Sequence, residues 1–549
     1  MPDLPYRQGV SSTLYRHGVV HSAADPFAEA ILVEDGTIAW LGADDTADGF
    51  AARADEVVDL DGALVAPGFV DAHVHVLETG LALESVDLTG ARSLADALDA
   101  VRAAAAGRSG SGPLLGFGWD ETDWPERRPP TRHELDAAAG GAPAYLARVD
   151  VHSAVVSTSL ATASGADRAD GWREDGLVVR DAHHAAREAA RDVPAERRTA
   201  LYRRALAHAA SRGVVSVHEQ SAPSIDTRAG LRELLDLTAD AAGGLPHLVA
   251  YRGELCVTVD DARAVLADLP GLTGIGGDLN VDGAFGSRTA ALRVPYADAA
   301  PSTGSLYLSA EQIANHVAAT TRAGVQGGFH VIGDLAMDEV LLGLRAASDV
   351  EGVARVAAAG HRLEHAEAID APTLAALVLL GVRLSVQPAF DAAWGGQDGM
   401  YARRLGAGRA AALNPFADLA AAGVPLAFGS DSPVTALDPW AGVRAALHHH
   451  SADQRISARA GFRAATRGGW RLAGLDHLGA GELRVGAPAH LAVWRAEHLV
   501  VQGASGEVSA WSTDARAGTP LLPDLSADAP PPVCLRTVRD GVTIFDALG

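Results

Sequence analysis

Residues 66–76 read APGFVDAHVHV, and the fold follows from how this stretch is read. Val65 to Val70 has the apolar continuity of a buried β-strand that opens after the Asp61-Gly62 turn dipeptide. Pro67 and Gly68 fall near its start, where a strand tolerates them. Asp71, His73 and His75 then alternate with Ala72, Val74 and Val76. In a strand, residues i and i+2 share a face, so both imidazoles point the same way at the strand's C-terminal end. That is a chelating geometry for a divalent metal. The competing reading is two polar residues on an exposed strand face, and the apolar run ahead of them argues against it.

Outward from this strand the chain changes texture twice. Residues 1–64 carry TLYRHGVV, AEAILVEDGTIAWLG and EVVDLDGALV, which alternate apolar and polar residues around Asp35-Gly36 and Asp61-Gly62. The same texture returns in GELRVGAPAHLAVW (481–494) and VCLRTVRDGVTIF (533–545). Two β-rich ends around a different middle imply one small β-domain built from both termini, 1–64 with 481–549. Residues 502–532, rich in Gly, Ser, Ala, Asp and Pro, read as a long loop.

Residues 65–480 alternate strand and helix signals. Strands are expected at Leu114–Trp119, Ala144–Val149, Gly213–His218, His247–Tyr251, Gln326–Ile332, His361–His365, Arg383–Gln387 and Pro425–Phe428. Ala-rich helical stretches lie at 93–106, 195–211, 309–323, 334–347, 371–380 and 441–450. This alternation predicts an α/β fold with a parallel sheet closed into a (β/α)8 barrel. Residues 77–212 are too long for one barrel unit and read as an insertion over the barrel mouth.

Composition bounds the function. A formal net charge of −24 argues against nucleic acid or an anionic membrane as partner. Cys256 and Cys534 are far apart, which fits a reducing compartment without a disulfide framework. The start, MPDLPYRQG, lacks the basic and apolar regions of a signal peptide, and no run approaches a membrane span. A cytoplasmic location is expected. All 45 basic residues are arginine, so a Schiff base, an amine nucleophile or a modified lysine is excluded.

Functional residues of a (β/α) barrel sit at the C-terminal ends of strands. His330 ends VQGGFH, His365 ends HRLEH, and Asp431 follows PLAFGS. With His73 and His75 they supply four imidazoles and one carboxylate, a set that suits zinc or a similar first-row ion. Singly, each histidine also reads as a structural one, and Asp431 as a helix cap. The triple His448–His450 resembles a metal tract, but consecutive helical side chains fan out by about 100°. It reads as a surface helix end.

HVH at 73–75, DGAFGSRTA at 282–290, FHVIGDLAMDEVL at 329–341, HRLEHAE at 361–367 and GSDSPVTALDPW at 429–440 resemble the amidohydrolase superfamily. The branch most similar is the YtcJ-like one that includes N-substituted formamide deformylases. The resemblance runs over nearly the whole chain, GFGWD at 116–120 included. It implies a TIM-type metallohydrolase barrel with a composite β-sandwich, one or two divalent ions, most simply Zn2+, and a homodimer. It also implies that His73 and His75 bind metal from the first strand, His330 from the fifth and His365 from the sixth, with Asp431 on the eighth.

One departure stands out. Many members bridge two metals with a carboxylated lysine four residues before the DG of the DG-x-x-GSR motif. That place is Asp278 here. Glu219, at the end of VSVHEQ, is the first candidate for a replacement carboxylate, with Glu254 and Asp278 behind it. His218 faces the opposite way from Glu219 in a continuing strand. Without a bridge, the site holds a single ion with His365 beside it as an acid/base or orienting group, and the sequence leans to this arrangement.

Trp119, Asp120, His152, Asp282, Ser287 and Arg288 are candidates to meet a small-molecule substrate. Arg288 reads either as a carboxylate clamp or as half of a structural ion pair. The activity expected is metal-dependent hydrolysis of a C–N bond, an amide or formamide, with Asp431 as general base then acid and His365 or His152 at the oxyanion. The alternatives are deamination of a heterocycle at one metal, and a non-catalytic metal-binding scaffold.

Overall fold

The computed structural model describes residues 11–107, 112–149, 151–191, 193–501 and 519–548. Residues 502–518 of the expected long loop, and the first ten residues, lie outside the described residues.

One sheet of eight parallel strands organises the chain. In order these are β1 (Phe69–Val74), β2 (Val214–Ser221), β3 (His247–Arg252), β4 (Gly274–Ile275), β5 (Gln326–Val331), β6 (Arg362–His365), β7 (Arg383–Val386) and β8 (Leu426–Phe428). The first and last strands meet through a parallel bridge between Val74 and Ser432, and the Asp431 amide donates to the His73 carbonyl at 2.8 Å. Gly429 makes this seam possible. A Cβ there would sit 2.5 Å from the His73 backbone nitrogen. Each strand is followed by helix, from Val76–Ala82 after β1 to Pro439–Leu447 after β8. The fold is a (β/α)8 barrel.

The sequence missed β4. It is two residues long, inside LTGIGGD, and shows neither alternation nor an apolar run. Glycine is required there for packing: a Cβ on Gly276 would lie 2.2 Å from the Gly328 carbonyl oxygen on β5, with φ at +108°. The turn after β4 carries Asp278 into the barrel mouth.

Leu114–Trp119 and Ala144–Arg148 are strands but not barrel strands. They belong to a separate five-stranded sheet with Val86–Asp87, Ala154–Val156 and Leu177–Val178. This sheet and the helices Leu94–Ala106, Arg132–Ala138 and Arg180–Ala190 occupy the span read as an insertion.

Both chain ends contribute to a pair of sheets. One has Thr37–Gly42, Ala30–Glu34, Ser12–Arg16 and Glu56–Asp59; the other has Val19–Val20, Leu64–Pro67, Leu491–Arg495, Val533–Arg539 and Val542–Asp546. Tyr15, Ile31, Ile38, Val65, Val493 and Leu535 share one core between them. Asp35-Gly36 and Asp540-Gly541 have positive φ at both residues, as tight hairpin turns need. No described helix is long and apolar enough to cross a membrane.

Candidate metal centre and active site

His73 lies on β1 and His75 one residue beyond it, and both are buried. His73 Nδ1 is 2.8 Å from Glu364 Oε2, and His75 Nδ1 is 3.0 Å from the Gln220 carbonyl. Each Nδ1 therefore donates its proton, and each Nε2 is the ring nitrogen turned toward the site. His365 at the end of β6 does likewise, with Nδ1 2.8 Å from Gln387 Oε1. His330 on β5 is turned the other way: Nε2 is 3.3 Å from the Gly283 carbonyl, and Nδ1 faces Asp278 Oδ1 at 3.1 Å.

The other ring nitrogens converge on two carboxylates. Asp431 Oδ1 is 3.3 Å from His73 Nε2 and 3.2 Å from His75 Nε2. Asp278 lies 3.5 Å from His365 Nε2 and 3.7 Å from His75 Nε2. Three overlapping groups result, His73–His365–Asp431, His73–His75–Asp278 and Asp278–His330–His365, each with its ligand atoms within 4.8 Å of one another. His73 Nε2 is buried without a hydrogen bond. Nitrogen and carboxylate donors in this density, with an orphaned ring nitrogen among them, fit a first-row divalent cation.

The electrostatics agree. Burial alone would raise Asp278, but His330 and His365 hold it well below its ordinary value. Burial is likewise outweighed at Asp431, which His73 and His75 hold far down. In turn, burial would lower His330, yet Asp278 pushes it up to about 9. Two buried carboxylates thus make a field that attracts cations.

The sequence-based candidates divide. His73, His75, His330, His365 and Asp431 come together at one end of the barrel. Glu219 does not join them. Its Oε2 accepts the Val76 amide at 2.7 Å, at the start of the helix Val76–Ala82, and burial pushes it up to about 7. Asp278, the weaker candidate by sequence, holds the central place. Glu254 is bound to Arg228 and to Arg252 at 2.7 Å, away from the groups. His218 points the other way from Glu219, into the barrel, with Nδ1 3.1 Å from Arg362.

His75, Asp278, His330, His365 and Asp431 open into a cavity of about 560 Å³. His152 and Ser287 line it, and the His152 ring centroid is 6.3 Å from that of His330. Trp119, Asp120, Asp282 and Arg288 do not line it. Trp119 is buried in the inserted sheet and donates from Nε1 to the Leu146 carbonyl. Asp120 pairs with Arg148, which does line the cavity. Asp282 accepts the Ile332, Gly333 and Ala291 amides, so it pins the loop after β5. Arg288 makes a two-pronged ion pair with Asp298. Of the histidine triple, His448 and His450 are exposed as expected. His449 is buried against Phe416 and lies 3.5 Å from Asp391.

Sequence reasoning overlooked Glu364 and Arg362. Arg362 is fully buried inside the barrel, bound to Glu364 and with its guanidinium 4.4 Å from the Tyr251 ring centroid. Glu364 then reaches His73, so a buried ion pair fixes that imidazole's tautomer. The signal was present: Arg362 and Glu364 are two apart in a strand, on the face opposite His365.

A barrel with this donor set at its mouth defines a class, the metal-dependent hydrolases of TIM-barrel type, and the comparisons narrow it. Residues 56–545 match the amidohydrolase family, and the chain belongs to it. It is 25% identical over 452 residues to the putative amidohydrolase YtcJ of Bacillus subtilis, covering 78% of this chain and 81% of that one. An N-substituted formamide deformylase of Arthrobacter pascens is 31% identical over 139 residues, 25% of this chain and 26% of its own. The crystal structure of an uncharacterized metal-dependent hydrolase from Pyrococcus horikoshii superposes with a TM-score of 0.70 at 26% identity, covering 88% of this chain and 97% of that one. The protein is thus a hydrolase of the YtcJ-like amidohydrolase branch.

Proposed function

We propose that this hydrolase cleaves a C–N bond of a small molecule, an amide or N-substituted formamide. The observation that carries the reading is the tautomer pattern. Each of four imidazoles has one ring nitrogen engaged by an oxygen outside the three groups, and the other faces Asp278 or Asp431. A cation would replace the protons that these facing nitrogens share with the two carboxylates, and the outer hydrogen bonds would hold the rings in place.

His73, His75, His330, His365, Asp278 and Asp431 would hold the cation, and zinc suits the donors best. A divalent ion there supplies Lewis acidity, polarising a carbonyl and making water acidic enough to attack near neutral pH. Asp278 belongs to two of the three groups, and its carboxylate would hold a cation together with the imidazoles of His75, His330 and His365. Asp431 accepts the proton of the attacking water and returns it to the departing nitrogen, which leaves poorly as an anion. The Nδ1 proton of His365 is committed to Gln387, so His365 serves as a ligand rather than a proton donor. His152, on the cavity wall beside His330, donates to the developing oxyanion.

The deformylase relative supports formamides as the first substrates to try. Protein purified without chelator is assayed against N-alkyl and N-aryl formamides, acetamides and aminoheterocycles, with metal content counted in the same samples. Release of amine from the amides supports the reading. Ammonia from the heterocycles alone would make the protein a deaminase, and no turnover at full metal content would make it a scaffold.

A further inference from the structure

The helix Val76–Ala82 begins directly after His75, and its Glu78 is buried at the cavity wall. Two arginines of the inserted segment share this one carboxylate. Arg187 Nη2 is 3.0 Å from Glu78 Oε1, and Arg191 binds the same group. Both guanidiniums are largely enclosed, at 13% side-chain exposure. Two cations against one anion leave a surplus positive charge in the protein interior, where charge is costly unless paired.

Among the described residues Glu78 is the carboxylate within ion-pair distance of Arg187 and Arg191; Asp278 also acts on Arg187 but is itself held by His330 and His365. His183 and His184 both line the cavity. Burial, then Arg187 and Arg191, lower His183 well below its ordinary value, and burial with Arg187 lowers His184. His183 Nε2 is held by the Tyr145 hydroxyl at 2.7 Å. Arg148, the next arginine on the wall, is bound by Asp120 and Glu121. Arg187 lines the same cavity as His330 and Asp431, and its Nε is buried with no hydrogen bond. The cavity is also lined by an apolar cluster, Phe285, Phe390, Trp394 and Tyr401.

We propose that Arg187 is a specificity residue that seats a carboxylate of the substrate, so that the preferred substrates are amides bearing both a carboxylate and an apolar group. A guanidinium suits this task because its planar N–H donors match a carboxylate. The inference rests on the amide-hydrolase reading for the scissile bond, but not for the anion seat itself. The insertion thereby sets specificity from the helix Arg180–Ala190, while the barrel supplies the chemistry.

The test separates binding from turnover. Dissociation constants are measured by calorimetry for two sulfonamides that the enzyme cannot hydrolyse, N-methylsulfonylphenylalanine and its decarboxylated analogue N-(2-phenylethyl)methanesulfonamide. The wild type should bind the anionic compound about tenfold or more tightly, the size of a charged hydrogen bond. Arg187→Gln should lose that preference and bind the neutral compound as before. Equal affinities in the wild type, a preference that survives in Arg187→Gln, or no binding of the anionic compound overturns the proposal. If Arg187→Gln does not fold, Arg187→Met takes its place in the same comparison, with the same outcomes. Turnover of N-formylphenylalanine and N-formyl-2-phenylethylamine is then followed separately. A sulfonamide preference with neither formamide cleaved removes the amide reading and leaves the anion seat standing.

Discussion

Asp278 Oδ1 lies 3.1 Å from His330 Nδ1, with each residue brought to the other by a glycine-paved contact between β4 and β5. The carboxylate reaches the imidazoles from the turn after the fourth strand, four residues before Asp282-Gly283. The backbones approach closely there: a Cβ on Gly276 would lie 2.2 Å from the Gly328 carbonyl oxygen, and one on Gly328 2.3 Å from the Gly277 nitrogen.

Asp278→Asn should therefore lower the number of ions bound per chain, whereas Glu219→Gln should leave it unchanged. Elemental analysis of the two variants beside the wild type decides. Loss of metal in Glu219→Gln, with Asp278→Asn retaining the full complement, would reverse the assignment. Because the chain contains no lysine to be carboxylated, added bicarbonate should not alter the rate.

Asp431→Asn should cost on the order of 10²–10⁴ in rate, the usual price of a lost acid–base group. The amide keeps the shape and loses the charge that faces His73 and His75. Steady-state kinetics on any substrate found in the amide panel reads this out. A rate within a few-fold of wild type would remove Asp431 from the chemistry.

Glu364→Gln removes the charge that fixes His73 and neutralises Arg362. Loss of the partner on the metal ligand should weaken metal affinity by about 10–100-fold, as outer-shell changes do. A buried guanidinium left without its carboxylate should cost about 3 kcal/mol of stability. Chelator competition measures the first effect and denaturant unfolding of the metal-free protein measures the second. Wild-type values in both would leave Glu364 without the role assigned to it.

The parts of this architecture legible from sequence were those with a period. Strands β1, β2, β3, β5, β6, β7 and β8 announce themselves by apolar runs between helical stretches, and His73, His330, His365 and Asp431 by their positions at the ends of those runs. β4 was illegible because its pairing depends on close backbone approach, which leaves only glycines in the sequence. Asp278 was ranked behind Glu219 for the same reason: without β4 in place, nothing brought it to the barrel mouth. Glu219 does end a barrel strand, but the adjacent helix start at Val76 takes its carboxylate, and such tertiary competition has no local signature. Trp119 and Asp120 misled because a strand of a second sheet reads like a barrel strand. Glu78 and Arg187 are 109 positions apart, so their pairing is a fact of the fold alone.

Acid should destabilise the protein through histidines remote from the metal centre. His361 Nδ1 accepts the Gly327 amide at 2.8 Å, and His316 Nδ1 accepts the Cys256 amide at 3.0 Å. Neither ring can take a proton at that nitrogen without losing its hydrogen bond. Burial, reinforced by His316, lowers His361 to about 3, and burial lowers His316 to about 4. The unfolded chain protonates the same rings near their ordinary value of about 6.5. Between those limits the unfolded state binds more protons, so stability is full above about pH 6.5 and falls as pH drops toward the folded values. Each such histidine contributes a slope of about 1.4 kcal/mol per pH unit within that window. His361→Asn can keep an acceptor for the Gly327 amide and removes one titrating group. Unfolding free energies of the metal-free protein from pH 7 to pH 4 should fall less steeply in this variant than in the wild type, and parallel slopes would show that His361 is not among the groups responsible.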